Sequence, residues 1–229
     1  MFNWLYHEED FNIPPLKSTE RNGMRFYEKD GKFYPSVTTV TGIRSKQAIL
    51  EWRQRVGEAH ATRESGRATA RGSVYHEIVE SYLRNRYIPK EWEEKIIPNM
   101  LFRCSKSNLD RIDNIHCMET ALYSDFLGLA GRVDCIAEFN GILSVIDFKT
   151  SNKPKKIDWI ENYFVQCCAY ATMYYELTER EVKQLVVIIA NEAGGTQVFI
   201  KRDIDEQLAL LKEYMQEFVQ EAHGIKQRT

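Results

Sequence analysis

Two aspartates and a lysine have the residue types and the spacing from which metal-assisted chemistry can be built. Asp134 lies in one apolar run of the segment GRVDCIAEFNGILSVIDFKTS, and Asp147 and Lys149 lie in the next. Carboxylate oxygens bind divalent cations, and an ammonium group beside them can stabilise a developing negative charge. The segment therefore predicts a charged site, provided that its two runs bring the three side chains together.

The two runs read as the strands of a β-hairpin. Val133–Phe139 and Ile142–Phe148 are rich in apolar and β-branched residues, and Asn140-Gly141 joins them. Asn-Gly between such runs is the strongest short-range signal for a two-residue type I′ turn. Because such a turn fixes which residues face each other, it also predicts the register of the hairpin.

That register places Asp134 opposite Asp147, with Cβ atoms about 4.5–5.5 Å apart. Lys149 follows Asp147 by two residues and shares its face, with Arg132 opposite. Like charges at facing positions are destabilising, but a divalent cation bound by both carboxylates would reverse the sign of that interaction. The alternative is a solvated surface hairpin in which Arg132 and Lys149 neutralise the two acids.

The order of one acid followed by Asp-x-Lys resembles the motif of the PD-(D/E)xK nuclease superfamily, in particular its RecB-like branch. Asp134 matches the first acid of that motif, and Asp147-Phe148-Lys149 matches the D-x-K tripeptide. D-x-K alone occurs by chance in many proteins, so further motifs in the same order are needed to make the resemblance specific.

Such motifs occur on both sides of the hairpin. Gln166 and Tyr170 match the Q-x-x-x-Y helix of the RecB-like branch, and Gly72, His76 and Glu80 resemble its histidine-bearing helix. The element Ser36-Val37-Thr38 resembles one found in the subgroup of mitochondrial genome maintenance exonucleases and their phage relatives. The resemblance covers most of the chain.

The resemblance implies a metal site that hydrolyses phosphodiester bonds. The expected cofactor is Mg²⁺, with Mn²⁺ as a substitute because an imidazole ligand suits it. The expected metal ligands are His76, Asp134, Asp147 and the backbone carbonyl of Phe148. The expected catalytic residues are Asp134, Asp147, Lys149 and Gln166. Some RecB-like nucleases hold an iron–sulfur cluster through late cysteines, and none is expected here because no cysteine follows Cys168.

Three residues are expected beside the ligands: Glu80, Glu119 and Tyr170. Glu80 is one helical turn from His76 and can hold a second metal, bind a water or orient the imidazole, although an exposed helix carboxylate is an equal alternative. Glu119 precedes the hairpin on a predicted strand and can reach the site. Tyr170 shares a helix face with Gln166, where the alternative is simple packing.

Four residues are predicted to contact DNA: Ser36, Thr38, Arg71 and Lys153. The segment from Arg44 to Arg71 carries seven basic and three acidic residues, and Lys153 lies in a lysine-rich loop after the hairpin. Phosphate contacts come mainly from arginine and lysine. The alternatives are that these charges solvate helix faces and that Ser36 and Thr38 start a helix.

The order of elements predicts an α/β fold with a mixed central sheet flanked by helices, a restriction-endonuclease-like core, and an N-terminal helical extension. In the first half, residues 1–22 are expected to be irregular, and Asp30-Gly31 is expected to join a second hairpin. Helices are expected at about 45–57, at 59–86 with a break or bend near Gly66 or Gly72, and at 92–111 with a stop or kink near Pro98. In the second half, strands are expected at 115–124, the hairpin, 184–190 and 197–201, and helices at 161–177 and 205–223.

We expect one domain over residues 1–229, with a hairpin and helical arch region in about 1–112 and the nuclease core in about 113–229. The formal net charge of −2 gives no global basic footprint. No apolar run approaches a membrane span, and the N-terminus lacks the features of a signal peptide. The five cysteines fit no zinc pattern and predict reduced thiols in a cytosol-like compartment, the host cytoplasm if the chain is phage-encoded.

The predicted function is a metal-dependent DNA exonuclease that prefers single-stranded or free-ended DNA. In the resembling enzymes, helices ahead of the core form an arch through which a single strand can thread. A role in DNA replication, recombination or repair is expected. The expected partner is DNA, with replication or recombination proteins as further candidates, and no membrane partner is expected. The alternatives are a flap or junction endonuclease with the same site and a non-catalytic DNA-binding module.

Overall fold

A small antiparallel sheet forms the start of the chain in the computed structural model, which describes residues 1–6, 11, 13–14 and 16–226. Its strands are β1 (Lys17–Arg21), β2 (Met24–Lys29) and β3 (Lys32–Pro35). The predicted hairpin across Asp30-Gly31 is confirmed, and both turn residues have positive φ, 52° and 77°. The expectation of irregular structure before residue 23 is wrong for β1, while residues 7–10, 12 and 15 lie outside the described residues.

The helices of the first half are close to those predicted. They are α1 (Val37–Thr41), α2 (Lys46–Val56), α3 (Glu58–Leu83), α4 (Lys90–Glu93) and α5 (Ile96–Leu109). The break expected as one alternative near Gly66 or Gly72 is wrong, because α3 continues through both glycines. The stop expected as an alternative near Pro98 is observed, because α4 ends at Glu93 and α5 begins at Ile96. Pro98 is the third residue of α5, where its missing N–H has no helical acceptor.

The second half builds a mixed sheet. Its strands are β4 (Ile112–Ser124), β5 (Leu129–Phe139), β6 (Ile142–Ser151), β7 (Gln184–Asn191) and β8 (Gly195–Lys201). They lie side by side in chain order, and only β6 and β7 run parallel. Helix α6 (Glu161–Thr178) connects that parallel pair, and α7 (Ile204–Lys226) follows β8. The predicted mixed sheet flanked by helices is confirmed.

The predicted hairpin register is also confirmed. Residues Asn140 and Gly141 both have positive φ, 54° and 73°, as a type I′ turn requires. Pairing of β5 with β6 runs from Phe139–Ile142 at the turn to Cys135–Ile146. It ends one position short of the two aspartates, so the strands separate where the charged residues begin.

Two apolar layers enclose the sheet. One face packs against α3 and α5 through residues such as Tyr75, Ile78, Leu101 and Phe148. The other face packs against α1, α6 and α7 through residues such as Val40, Phe164, Val187 and Leu211. None of the helices in the described part combines the length and apolar character that crossing a bilayer requires.

The N-terminal helical extension is smaller than predicted. The second half of α3 carries an apolar stripe, Tyr75, Ile78, Val79 and Leu83, which packs onto the sheet, so α3 and α5 belong to the core layers. What projects is α2, which has no buried residue, together with the first half of α3, where Ala61 alone is buried among described residues 58–70. We call this projecting pair the α2–α3 hairpin.

Gly66→Ala should stabilise the protein by about 0.5–1 kcal/mol, because it removes backbone entropy inside a helix and its Cβ would meet open space. Gly57→Ala is the matched control. Gly57 has φ 85° and ψ 144° between α2 and α3, a conformation that strains an L side chain, and its substitution should be destabilising. Urea denaturation of both variants measures the two effects, and a loss of stability in Gly66→Ala would contradict the continuous α3.

Candidate active site

The charged residues of the hairpin lie where β5 and β6 separate. The Phe148 backbone N–H donates to Asp134 Oδ2 at 2.8 Å, so a side chain takes the place of a strand-to-strand partner. Asp147 points toward α6 and accepts from Lys149 Nζ at 2.5 Å through Oδ1. Asp134 thus lies on β5, which stops pairing with β6 at this point. Asp147 and Lys149 lie on β6, which stays paired with β7.

A backbone irregularity in β4 faces Asp134. Glu119 has φ 53°, and it occupies the position opposite Asp134, between the pairs Met118–Cys135 and Thr120–Val133. A left-handed residue within a strand is strained unless its surroundings hold it, and such strain clusters at functional sites. The two strands change which core they pack against at this point, since Cys135 lies in the α3 layer and Val133 in the α6 layer.

Helix α3 brings His76 to these two carboxylates. His76 Nδ1 lies 3.6 Å from Glu119 Oε1 and 3.8 Å from Asp134 Oδ2. One potential ligand atom from each of the three residues lies within 4.8 Å of the others. Burial lowers the pKa of His76, but the Asp134 charge and the contact with Glu119 outweigh it, so the pKa is raised overall.

Asp147, which is paired with Lys149, is the most deeply enclosed charged residue of the site. Asp147 is 3% exposed, and its Oδ2 has no hydrogen-bond partner among the described residues. Burial, with a smaller effect from Asp134, raises the pKa of Asp147 to about 6, although the Lys149 charge opposes this. Burial acts to lower the pKa of Lys149, but Asp147 and Asp134 outweigh it and raise the pKa overall.

These residues fit a divalent cation. Three carboxylates and an imidazole supply oxygen and nitrogen donors, and the unpartnered Asp147 Oδ2 is a buried acceptor that lacks a positive group. His76, Glu119 and Asp134 form the tight group, and Asp147 borders it closely enough for the charges of Asp134 and His76 to act on the pKa of Asp147. The Phe148 carbonyl remains a predicted ligand; the observed contact is made by its N–H.

Glu119 lies next to His76, the position from which Glu80 was predicted as one alternative to orient the imidazole. Glu80 forms an ion pair with Arg84 at 2.7 Å, one turn further along α3, and is not part of the tight group. Glu119 thus lies within the tight group and Glu80 outside it, and the roles predicted for both beside a metal stay predictions. No pattern in the sequence signals the left-handed backbone that turns Glu119 inward.

Tyr163 is a neighbour of the site that the sequence did not reveal. It lies in the first turn of α6, half-buried, with its ring centroid 5.1 Å from Lys149 Nζ. A cation over an aromatic face is attracted to it. Lys149 is therefore held by Asp147 and by the face of Tyr163. The only advance signal was the position of Tyr163 one turn before Gln166.

Gln166 and Tyr170 are both buried on α6, and Tyr170 packs tightly against β5. A Cβ added at Gly131 would lie 2.7 Å from Tyr170 Oη and 3.0 Å from its Cε1, so only glycine permits this approach. Burial, and to a lesser degree the Asp134 charge, raises the pKa of Tyr170, which keeps its phenol neutral. The predicted role of Gln166 at the site stays a prediction.

The four residues predicted to contact DNA are in unlike settings. Ser36 is buried and its Oγ accepts from the Thr39 N–H at 3.0 Å, so it caps α1. Thr38 and Lys153 are exposed and open to a ligand. Arg71 is buried, donates to Thr150 Oγ1 at 3.2 Å and pairs with Glu192, so it joins α3 to the ends of β6 and β7. In this arrangement its guanidinium is engaged within the protein.

The basic segment before the site is largely neutralised by acidic partners. Arg44 pairs with three glutamates of α6 and α7, which are Glu161, Glu213 and Glu217. Arg53 and Arg67 also form ion pairs, the second with Glu192. Within the described residues, Arg55 and Arg63 form none. The excess of positive charge counted in the sequence therefore overstates the charge available to phosphates.

The fold and this constellation agree with the comparison to known families. A model of the PD-(D/E)XK nuclease superfamily matches residues 48–228, and the chain belongs to that superfamily. The chain is 33% identical over 129 residues to human mitochondrial genome maintenance exonuclease 1, and the matched segment covers 53% of this chain and 38% of the human protein. The match to the mouse protein of that name is 31% identical over 132 residues, 54% of this chain and 38% of that protein.

A third relative of the same name, from Xenopus tropicalis, is 29% identical over 159 residues, 64% of this chain and 43% of that protein. The chain thus spans less than half the length of these relatives. Among solved structures, the crystal structure of SSO0001 is 15% identical and covers 62% of this chain and 74% of its own. Its TM-score of 0.29 is too low to support an argument.

Gly131→Ala should destabilise the protein by about 1–3 kcal/mol, because the added methyl group overlaps the Tyr170 ring and forces α6 away from β5. Thermal unfolding measures the effect, with Gly66→Ala as the matched control at an open helical position. Equal stability of Gly131→Ala and the unaltered chain would show that α6 does not press on β5.

Glu119→Gln should weaken binding of Mn²⁺ by about tenfold or more, the loss expected even for residues that only support a metal ligand. Glu80→Gln is the matched control and should bind as the unaltered chain does, because Glu80 pairs with Arg84. The shift in melting temperature on adding Mn²⁺ after chelation measures both affinities. Equal losses in the two variants would contradict the assignment of Glu119 to the tight group.

Proposed function

We propose that this protein hydrolyses phosphodiester bonds in DNA as a metal-dependent exonuclease with a preference for single-stranded or free-ended DNA. The observation that carries the proposal is the buried Asp147, with one oxygen held by Lys149 and the other without a partner, beside the group of His76, Glu119 and Asp134. The superfamily supports nuclease chemistry, and the three similar proteins bear the name exonuclease.

A divalent cation held by His76, Asp134 and Asp147 would neutralise charge on the scissile phosphate and lower the pKa of a water molecule. Mg²⁺ suits the carboxylate oxygens, and the His76 imidazole makes Mn²⁺ a competent substitute. Glu119 extends this donor set on the β4 side.

Lys149 is the residue of the chain that supplies positive charge directly to the reaction. Its raised pKa keeps it protonated, and Asp147 and Tyr163 hold two sides of the ammonium. The remaining N–H can donate to the attacking water or to a phosphate oxygen, where it stabilises the developing negative charge. Asp134 keeps its orientation through the Phe148 N–H, so the donors are positioned before substrate arrives.

The preference for single strands depends on the α2–α3 hairpin. Its α2 helix leaves Ile49 and Leu50 each 50% exposed, with Arg55 unpaired on the same helix. Apolar side chains next to basic ones suit an unpaired strand, which presents bases and phosphates together. The hairpin is the part of the predicted arch that projects, and we propose that a strand passes beneath it to reach Asp147.

The names of the relatives and the state of the cysteines bear on the proposed process and compartment. The relatives are named for mitochondrial genome maintenance, and for this chain we propose a role in DNA replication, recombination or repair. All five cysteines are free thiols, four of them buried, which supports a reducing, cytosol-like compartment.

Asp147→Ala should abolish hydrolysis of end-labelled linear single-stranded DNA in Mg²⁺ or Mn²⁺, because it removes a ligand and releases Lys149. Lys149→Ala should lower kcat by about 10²–10³, the typical loss of one group that stabilises transition-state charge. Glu80→Gln is the control and should retain activity. Unchanged metal-dependent hydrolysis in Asp147→Ala would contradict the proposed chemistry, and its absence in the unaltered chain would favour a non-catalytic DNA-binding module.

Linear single-stranded DNA should be degraded, and a circular single strand of the same sequence should persist under the same conditions, because a closed strand has no end to thread beneath the α2–α3 hairpin. Gel analysis of both substrates over time measures the difference. Rapid cleavage of the circle would contradict threading and favour the flap or junction endonuclease, for which mapped cuts on a flap substrate would fall at the junction.

A further inference from the structure

We infer that residues Lys153–Trp159, here called the platform loop, bind unpaired nucleic-acid bases beside the active site by stacking on Trp159. The inference rests on the proposed function and deepens it, because it assigns a binding surface for the substrate class. The loop connects the end of β6, which carries Lys149, to the start of α6, which carries Tyr163 and Gln166.

The first observation is the exposure of two large apolar side chains. Trp159 is 60% exposed and Ile157 is 43% exposed. Tryptophan buries more apolar area on contact than any other side chain and is over-represented where proteins bind partners. Lys156 Nζ lies 5.5 Å from the centre of the Trp159 ring, so a cation accompanies the open aromatic face. An exposed indole with an adjacent cation offers a base and its phosphate one contact each.

The second observation is that the loop is held in place by hydrogen bonds. Gln197 on β8 accepts from the Lys155 N–H at 2.7 Å and donates to the Lys155 carbonyl at 2.9 Å. Ser151 Oγ donates to the Lys153 carbonyl at 2.7 Å, and Ile160 is fully buried just beyond Trp159. The indole is therefore presented by a backbone that is anchored at both ends, which lowers the entropy cost of binding.

The third observation is the position of the loop next to the chemistry. Trp159 precedes Tyr163 by four residues, so their Cα atoms are at most about 14 Å apart even for an extended chain. The Tyr163 ring in turn lies 5.1 Å from Lys149 Nζ. A strand whose phosphate sits at Lys149 therefore has its neighbouring nucleotides within reach of the Trp159 ring.

The fourth observation is the charge of the loop. Lys153, Lys155 and Lys156 stand against the single acid Asp158, and within the described ranges none of the three lysines forms an ion pair. Much of the basic segment before the site is already paired, so these lysines are among the cations that remain open to phosphates. Aromatic stacking combined with open cations is the pattern that binds single strands with little sequence preference.

The test measures the DNA affinity of three variants: Trp159→Ala, Trp159→Phe and Tyr175→Ala. Fluorescence anisotropy is recorded with labelled oligo(dT) and with a labelled duplex of equal length. A chelator is present so that no DNA is cut. Tyr175 is the matched control, an aromatic residue 53% exposed near the far end of α6. Trp159→Ala should weaken binding of oligo(dT) about tenfold, and Trp159→Phe should retain most of the affinity, because a phenyl ring still stacks. The affinity of Trp159→Ala for the duplex should change by less than about twofold, and so should the affinity of Tyr175→Ala for oligo(dT).

Unchanged affinity of Trp159→Ala for oligo(dT), or an equal loss in Tyr175→Ala, would overturn the inference. Melting temperatures of all three variants identify a loss caused by unfolding. Hydrolysis by the unaltered chain in Mg²⁺ is scored separately. If the chain cuts DNA while Trp159→Ala binds oligo(dT) with unchanged affinity, the inference about the platform loop is wrong and the proposed function stands. If the chain cuts no DNA while Trp159→Ala loses affinity for oligo(dT), the proposed function fails and the platform loop stands.

Discussion

The burial of Asp147, which is paired with the half-buried Lys149, is the constraint on which the rest of the structure depends. Removing two charges from water is costly, and their attraction offsets the cost only when the geometry is good and other polar groups are satisfied. Here one oxygen of Asp147 is left without a partner among the described residues. The surrounding elements therefore hold a local arrangement that folding alone does not favour, as is common where a protein binds or transforms a ligand.

The two apolar layers supply the stability that holds this arrangement. Tyr75 and Ile78 fix α3 against one face of the sheet, which places His76, and Phe164 fixes α6 against the other face, which places Tyr163 and Gln166. Because the packing residues alternate with the site residues along the same helices, a shift in either layer moves a charged group as well. Stability and site geometry are for this reason properties of the same contacts.

Local signals in the sequence predicted much of this. The Asn140-Gly141 turn specified the register of the hairpin because both residues tolerate positive φ, and the apolar periods of α6 and β7 gave their positions to within a residue or two. The sequence carries the same Asn-Gly signal at residues 22–23, where both residues have positive φ and join β1 to β2. The register also implied that Asp134 and Asp147 face each other, whereas the strands separate at that point and a side chain completes the pairing.

What the sequence could not supply were partners chosen across long distances. Arg71 is indistinguishable from a phosphate ligand until Glu192, over a hundred residues later, is found beside it, and the bonds of Arg44 to α6 and α7 are hidden in the same way. Glu119 presents a related difficulty. Its backbone conformation is imposed by the strands around it and not by its own preferences, so neither propensity nor pattern places its carboxylate at His76.

The separation of β5 from β6 also divides the main sheet into two halves, one containing β4 and β5 and the other containing β6, β7 and β8. The two strands are paired only from the turn to Cys135–Ile146, and beyond that point β5 follows β4 while β6 follows β7. The two halves of the sheet are therefore joined at the Asn140-Gly141 end, with Asp134 on one half and Asp147 on the other. A cation or substrate bound between the two carboxylates would therefore contact both halves of the sheet and add a link where the ladder between β5 and β6 is interrupted.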